Sequence, residues 1–215
     1  MTDDATMMWD EVADIGSLLS EFGPAEFDTP SLCAGWRVRD VLGHMALGHT
    51  TPLPRMLATV ARHGFKVPKA SLVESRKRFE GATPDEIRAF WQTVMVAQHP
   101  RKGITKMIPT KTGFLDHLVH NQDIRQPTGR PRHIPEERLR RALELVRSEG
   151  NGFLNPKKNL AGLTVRATDI DFSAGEGPVV EGTAEAIVMA ATGRTVAAAD
   201  LSGDGAPVLR QRIGA

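Results

Sequence analysis

The sequence predicts a mainly α-helical protein, with a helical bundle over residues 1–155 and a small α/β region over residues 160–215. Apolar residues recur every three or four positions through most of the first part, which is typical of amphipathic helices. From Leu163 onward the period changes toward two, which is typical of strands. The composition, 40% hydrophobic and 25% charged in 215 residues, is that of a folded globular protein.

Local signals place the helices of the bundle. The first helix ends at Gly23-Pro24. Thr83-Pro84-Asp85-Glu86 combines an N-cap, a proline in the first turn and a capping-box glutamate. Pro52 and Pro54 make residues 53–63 either a kinked continuation of the preceding helix or a separate segment. Helices are predicted over residues 3–22, 38–49, 53–63, 70–80, 83–99, 112–125 and 135–148, with an ordered loop over 27–36.

The C-terminal region mixes short strands with one helix. Residues 163–168, 170–172 and 178–181 have the alternation and the β-branched residues of strands. Residues 183–191 have a helical pattern that Gly193 ends. We therefore expect a small α/β unit after the bundle.

Charge, cysteine content and apolar runs exclude several classes of protein. A formal net charge of +1 gives no general attraction to nucleic acid or to an anionic membrane. The sequence contains neither a secretory signal pattern nor an apolar run of about 20 residues that could span a bilayer. Its single cysteine, Cys33, excludes an internal disulfide and is expected to be a small buried side chain rather than a nucleophile. We expect a cytoplasmic monomer or homodimer with no nucleic-acid or membrane partner.

The most informative pair of residues is Asp116 and His120. Residues four apart lie on one face of a helix, so this carboxylate and imidazole could bind one divalent metal. His44, on the otherwise apolar stripe of its helix, is the best candidate for a third ligand. Taken singly, His44 could also be a hydrogen-bonded core histidine, and the pair a simple ion pair. The histidines without a partner at ligand spacing are expected at the surface or in loops: His49, His63, His99 and His133.

Residues 31–45 and residues 116–127 resemble two signatures of one family, the mycothiol-dependent maleylpyruvate isomerases, a branch of the DinB-like metal-binding bundles. Residues 31–45, which include Trp36-Arg37-Val38-Arg39-Asp40-Val41-Leu42-Gly43-His44, are similar to its tryptophan-to-histidine signature. Residues 116–127 resemble its second metal-ligand helix. Residues 168–173, 191–194 and 201–205 resemble its tail. The resemblance implies a DinB-like four-helix bundle that holds a divalent metal, usually zinc, and it maps the ligands onto His44, Asp116 and His120.

The identity of the second ligand stays open in this comparison. The isomerase branch has glutamate where this chain has Asp116, and other DinB-like proteins have histidine there. Aspartate is one methylene shorter than glutamate. The adjacent His117 is three residues from His120 and could be the second ligand in place of Asp116, although Asp116 is preferred. Asp123, on the same helix stripe, could hold a ligand imidazole by its other ring nitrogen. The resemblance also implies that Arg194 binds substrate or thiol.

Three protein ligands leave a fourth zinc position open, as in catalytic zinc sites. The resemblance implies that a thiol fills it, with mycothiol as the thiol cosubstrate. The predicted function is therefore that of a thiol transferase or isomerase, in which a metal-bound thiolate attacks an electrophilic small molecule. A non-catalytic small-molecule-binding bundle with a structural metal and a metal-dependent hydrolase are the alternatives.

Overall fold

The computed structural model describes residues 2–150 and 155–215. These residues form two compact units. The first unit comprises Thr2–Arg132 and the second His133–Ala215. The helix predicted over 135–148 therefore belongs to the second unit rather than to the bundle. The predicted fold class, a mainly α protein with a helical bundle and a small C-terminal α/β region, is confirmed. Within the described residues, no helix is both long enough and apolar enough to cross a bilayer.

The first unit is built from six helices. They are α1 (Asp4–Glu21), α2 (Val38–Thr50), α3 (Leu53–Arg62), α4 (Val67–Arg78), α5 (Pro84–Phe90) and α6 (Thr110–Arg125). A π-helical stretch, Trp91–Val96, continues α5, so the helix predicted over 83–99 contains a wider turn. Helix α1 packs on α6 and on the continued α5, and α2 packs on α4 and α6. The bundle thus consists of α1, α2, α6 and the continued α5.

The bundle helices begin within two residues of their predicted starts. The Asp3 carboxylate accepts hydrogen bonds from the backbone of Ala5 and Thr6 at the start of α1. Thr83 and Glu86 form the predicted capping box of α5. Residues 53–62 form a separate helix rather than a continuation of α2.

A close approach between α2 and α4 fixes the part of α2 that carries His44. A Cβ atom added at Gly43 would lie 2.3 Å from the backbone oxygen of Ser75, so only glycine fits this crossing. The same crossing brings Ser71 of α4 next to His44, with 3.1 Å between its hydroxyl oxygen and Nδ1 of the imidazole. The packing of the two helices therefore sets the orientation of a predicted ligand.

Among its described residues, the second unit contains four α-helices and a three-stranded sheet. Its elements are α7 (Glu136–Ser148), α8 (Pro156–Asn159), β1 (Thr164–Ala167), β2 (Ser173–Ala174), β3 (Val179–Gly182), α9 (Ala184–Ala191) and α10 (Ala206–Ile213). The sheet has the order β2-β1-β3, with β1 antiparallel to β2 and parallel to β3.

One local prediction in this unit was wrong, and helices α8 and α10 were not predicted. The second strand was expected at 170–172 but lies at 173–174. The preceding residues turn instead, and Asp169 accepts a hydrogen bond from the backbone N–H of Ala184 at the start of α9. Helix α10 has a proline in its first turn, but its N-cap residue, Gly205, has no side chain to mark the helix start.

Candidate metal centre

His120 lies on α6 with its two ring nitrogens facing different carboxylates. Nδ1 donates to Oδ2 of Asp123 at 2.8 Å, and Nε2 lies 3.6 Å from Oδ1 of Asp116. The spacings of three and four residues put both carboxylates on the same helix face as the imidazole. Burial lowers the pKa of His120, but the Asp116 charge and the Asp123 hydrogen bond outweigh it and raise the pKa well above its usual value.

The structure brings the three predicted ligands together. His44, Asp116 and His120, the histidine–aspartate triad, each offer one ligand atom, and these atoms lie within 4.8 Å of one another. The His44 ring packs edge-on against His120, with centroids 5.1 Å apart, and against Trp36, with centroids 5.3 Å apart. The tryptophan of the first signature therefore contacts the histidine of that signature. The role of the triad as a metal site stays a prediction.

Asp116 lies at the margin of the triad rather than in its interior. Its side chain is 35% exposed, whereas that of His120 is 9% exposed. Its second oxygen, Oδ2, lies 3.6 Å from Nδ1 of His117. The carboxylate thus lies between two histidines, and its exposure gives solvent a route to the triad.

His117, the alternative second ligand, is directed toward His49. The two Nε2 atoms are 3.0 Å apart, and Nδ1 of His49 lies 2.7 Å from the carbonyl oxygen of Pro100. A carbonyl can only accept, so His49 donates from Nδ1 and accepts at Nε2 from His117. Both imidazoles are buried. Burial is the main cause that lowers the pKa of His117 to about 3, and the neighbouring His49 lowers it further.

The expectation that His49 lies at the surface or in a loop was wrong. His49 is buried in α2 and pairs with a residue 68 positions away in the sequence. A residue five positions after His44 lies on a different side of the helix, by about 140°. No local spacing rule could therefore have linked His49 to His117.

Cys33 completes a second cluster on the other side of the His120 ring. Its Sγ donates to Oδ2 of Asp123 at 3.1 Å and lies 3.8 Å from Nδ1 of His120. The loop is held there because the backbone N–H of Leu32 donates to the carbonyl oxygen of Asp123 at 3.1 Å. Sequence reasoning expected only a small buried side chain at Cys33. The contact with α6 was missed because it joins residues 90 positions apart.

Arg194 lies in the second unit, just after α9. Its side chain is buried, and Nη1 donates to the carbonyl oxygen of Thr192 at 2.9 Å. Its predicted role in binding substrate or thiol stays a prediction.

The fold and the triad define a class of protein: a helical bundle with a candidate metal site made of two imidazoles and a carboxylate. Comparison with known proteins gives a more specific relationship. Residues 8–99 match the family model of the mycothiol maleylpyruvate isomerase N-terminal domain. The match includes Cys33 and His44 but ends before α6. The predicted resemblance to this family is confirmed for residues 8–99.

Solved structures extend the similarity of the fold over nearly the whole chain. The crystal structure of a mycothiol-dependent maleylpyruvate isomerase has a TM-score of 0.59 and 18% sequence identity, and the alignment covers 94% of this chain and 92% of that one. A histidine-to-alanine mutant of such an isomerase gives the same TM-score and coverage at 17% identity. No curated protein matches the sequence.

Proposed function

We propose that this protein is a metal-dependent thiol transferase or isomerase, which uses mycothiol to attack an electrophilic small molecule. The single observation that carries the proposal is the convergence of His44, Asp116 and His120 in a bundle whose residues 8–99 match the model of the isomerase N-terminal domain. The mycothiol dependence and the class of reaction come from the family, and zinc is the expected metal.

The donor set fits a catalytic metal ion. Two imidazole nitrogens and one carboxylate oxygen are common zinc ligands, and three protein ligands leave one position for an exogenous group. A metal bound there would deprotonate a coordinated thiol and present it as a thiolate. The partial exposure of Asp116 supports access for that thiol from solvent.

The residues around the triad would orient the ligands. Asp123 accepts from Nδ1 of His120, so that ring would ligate through Nε2. Ser71 faces Nδ1 of His44, so that ring would also ligate through Nε2. The chain's own thiol, Cys33, lies on the Nδ1 side of His120, away from the nitrogen that faces Asp116. This arrangement supports the use of an exogenous thiol. Arg194 is proposed as a carboxylate-binding residue on the family resemblance alone.

The proposal is tested by measuring metal content and thiol-dependent turnover together. Protein purified without a histidine tag should contain close to one zinc per chain, and His44→Ala and His120→Ala should lose it. His63→Ala, at a histidine paired with Glu74 of α4, is the matched control and should keep it. Zinc-loaded protein should isomerise maleylpyruvate only when mycothiol is present. Turnover without any thiol would favour a hydrolase, and metal binding without turnover would favour a non-catalytic bundle.

A further inference from the structure

Cys33, His120 and Asp123, here called the cysteine triad, form a compact group of metal-ligating atoms beside the predicted site. Sγ of Cys33 is 3.8 Å from Nδ1 of His120 and 3.1 Å from Oδ2 of Asp123. The distance from Nδ1 to Oδ2 is 2.8 Å. All three atoms lie on the Nδ1 side of the His120 ring, while Nε2 faces Asp116.

These distances are close to those of one face of a metal tetrahedron. A zinc-like ion with bonds of about 2.3 Å to sulfur and about 2.1 Å to nitrogen and oxygen separates its ligand atoms by about 3.4 to 3.6 Å. The observed separations of 3.8, 3.1 and 2.8 Å differ from these by at most about 0.6 Å. The two short ones are hydrogen bonds, in which protons on Cys33 and His120 hold the ligand atoms together. Small side-chain movements would therefore open the face for a cation.

We propose that the cysteine triad is a second cation position, for a thiophilic divalent metal, and that it competes with the histidine–aspartate triad for His120. A neutral imidazole has one lone pair, so it ligates through one ring nitrogen at a time. Binding at the cysteine triad releases the Cys33 thiol proton to solvent. The proton on Nδ1 of His120 is also released to solvent, and Nε2 keeps its proton, which faces Asp116. Metal at one position thus removes His120 from the other.

Charge and softness favour different metals at the two positions. A divalent cation with the Cys33 thiolate and the Asp123 carboxylate gives a neutral group, which suits a site where Asp123 is fully buried. In the histidine–aspartate triad, a divalent cation with one carboxylate keeps a positive charge, which an anionic ligand could neutralise. Thiolate ligands select soft metals, whereas two imidazoles and a carboxylate also suit harder ones. Cadmium should therefore occupy the cysteine triad in preference.

The proposal does not depend on the enzymatic function, because it concerns only where a metal binds. Metal-free protein is titrated with cadmium while the ultraviolet charge-transfer band of cadmium thiolate is recorded. One cadmium per chain should bind, with the band reaching its maximum at that ratio. Cys33→Ser keeps a hydroxyl donor for Asp123, but it should lose the band and bind cadmium about 100-fold more weakly.

His44→Ala gives the complementary test, because it removes a ligand of the competing position only. This variant should keep the full band and bind cadmium at least as tightly as the wild type. Absence of a thiolate band in wild-type protein at one cadmium per chain would overturn the second position. Two cadmium ions per chain, with the band retained, would overturn the competition for His120. Circular dichroism of each variant verifies that the helices are intact, and the wild-type titration requires no substitution.

Discussion

The buried pair of His117 and His49 predicts a specific loss of stability in acid. Burial and the neighbouring His49 lower the pKa of His117 from 6.5 to about 3 in the folded protein. A base with a lowered folded-state pKa binds its proton mainly in the unfolded state. Its contribution to stability is therefore full above the unfolded pKa and is lost progressively as the pH falls below 6.5.

The magnitude follows from the two pKa values. At about pH 5 the unfolded state gains about 2 kcal/mol from protonating His117, whereas the folded state gains almost nothing, and at about pH 7.5 the difference is close to zero. His49, whose pKa burial also lowers, acts in the same direction. The raised pKa of His120 acts in the opposite direction, because its contribution is full below 6.5 and is lost as the pH rises through the folded-state pKa.

Urea unfolding of metal-free protein at the two pH values, for wild type and His117→Gln, isolates the His117 contribution. Both chains retain His120, so its contribution largely cancels in the comparison. Glutamine can still donate a hydrogen bond to Nε2 of His49 but does not titrate. The variant should lose about 2 kcal/mol less than the wild type between about pH 7.5 and about pH 5. Equal losses in the two chains would refute the assignment of a buried, neutral His117.

Three further predictions concern the candidate site and the helix that carries it. Asp123→Asn should weaken zinc binding by about 10- to 100-fold in a competition titration, whereas Asp14→Asn, on α1, should leave it unchanged. Asp116→Glu should keep or improve zinc affinity, and Asp116→Ala should abolish it. Unchanged zinc affinity in Asp116→Ala would indicate that the adjacent His117 is the second ligand. Gly43→Ala should lower the free energy of unfolding by about 1 to 3 kcal/mol, because its Cβ would meet the α4 backbone at 2.3 Å. Gly48→Ala on the same helix is the control, because its Cβ would meet only a side-chain carbon at 3.6 Å. This variant should be neutral or stabilising by up to about 1 kcal/mol. Thermal or urea unfolding measures both variants.

Structural features that depend on a few neighbouring residues could be predicted from the sequence. Features that depend on contacts between distant residues could not. The capping box at Thr83 and Glu86 is a pattern of four residues, and its hydrogen bonds form as predicted. The position of Asp123 beside His120 follows from a helix spacing of three residues. The prediction that His44 lies beside the ligands on α6 depended on the family signatures, because no spacing rule connects residues on two different helices.

The contacts that escaped prediction involve side chains whose local surroundings gave no signal. Cys33 lies in a loop, and its thiol meets Asp123 only because a backbone hydrogen bond from Leu32 holds the loop against α6. The π-helical stretch after α5 depends on packing: Trp91 is fully buried and donates from its indole nitrogen to the carbonyl oxygen of Val12 on α1. A period of 3.6 residues over 83–99 cannot distinguish such a wide turn from a regular helix.

The hydrogen-bond chain from Pro100 through His49 to His117 has a consequence for how these positions can vary during evolution. Each link is buried, so replacing one histidine with an apolar residue leaves a polar partner without its hydrogen bond, which costs about 1 to 3 kcal/mol. Replacing both histidines with apolar residues of similar size removes both imidazoles at once and leaves only the Pro100 carbonyl oxygen without its donor, so the double change should cost less than the sum of the two single changes. Positions 49 and 117 are therefore expected to covary, with either two histidines or two apolar residues, although they lie on different helices and 68 residues apart.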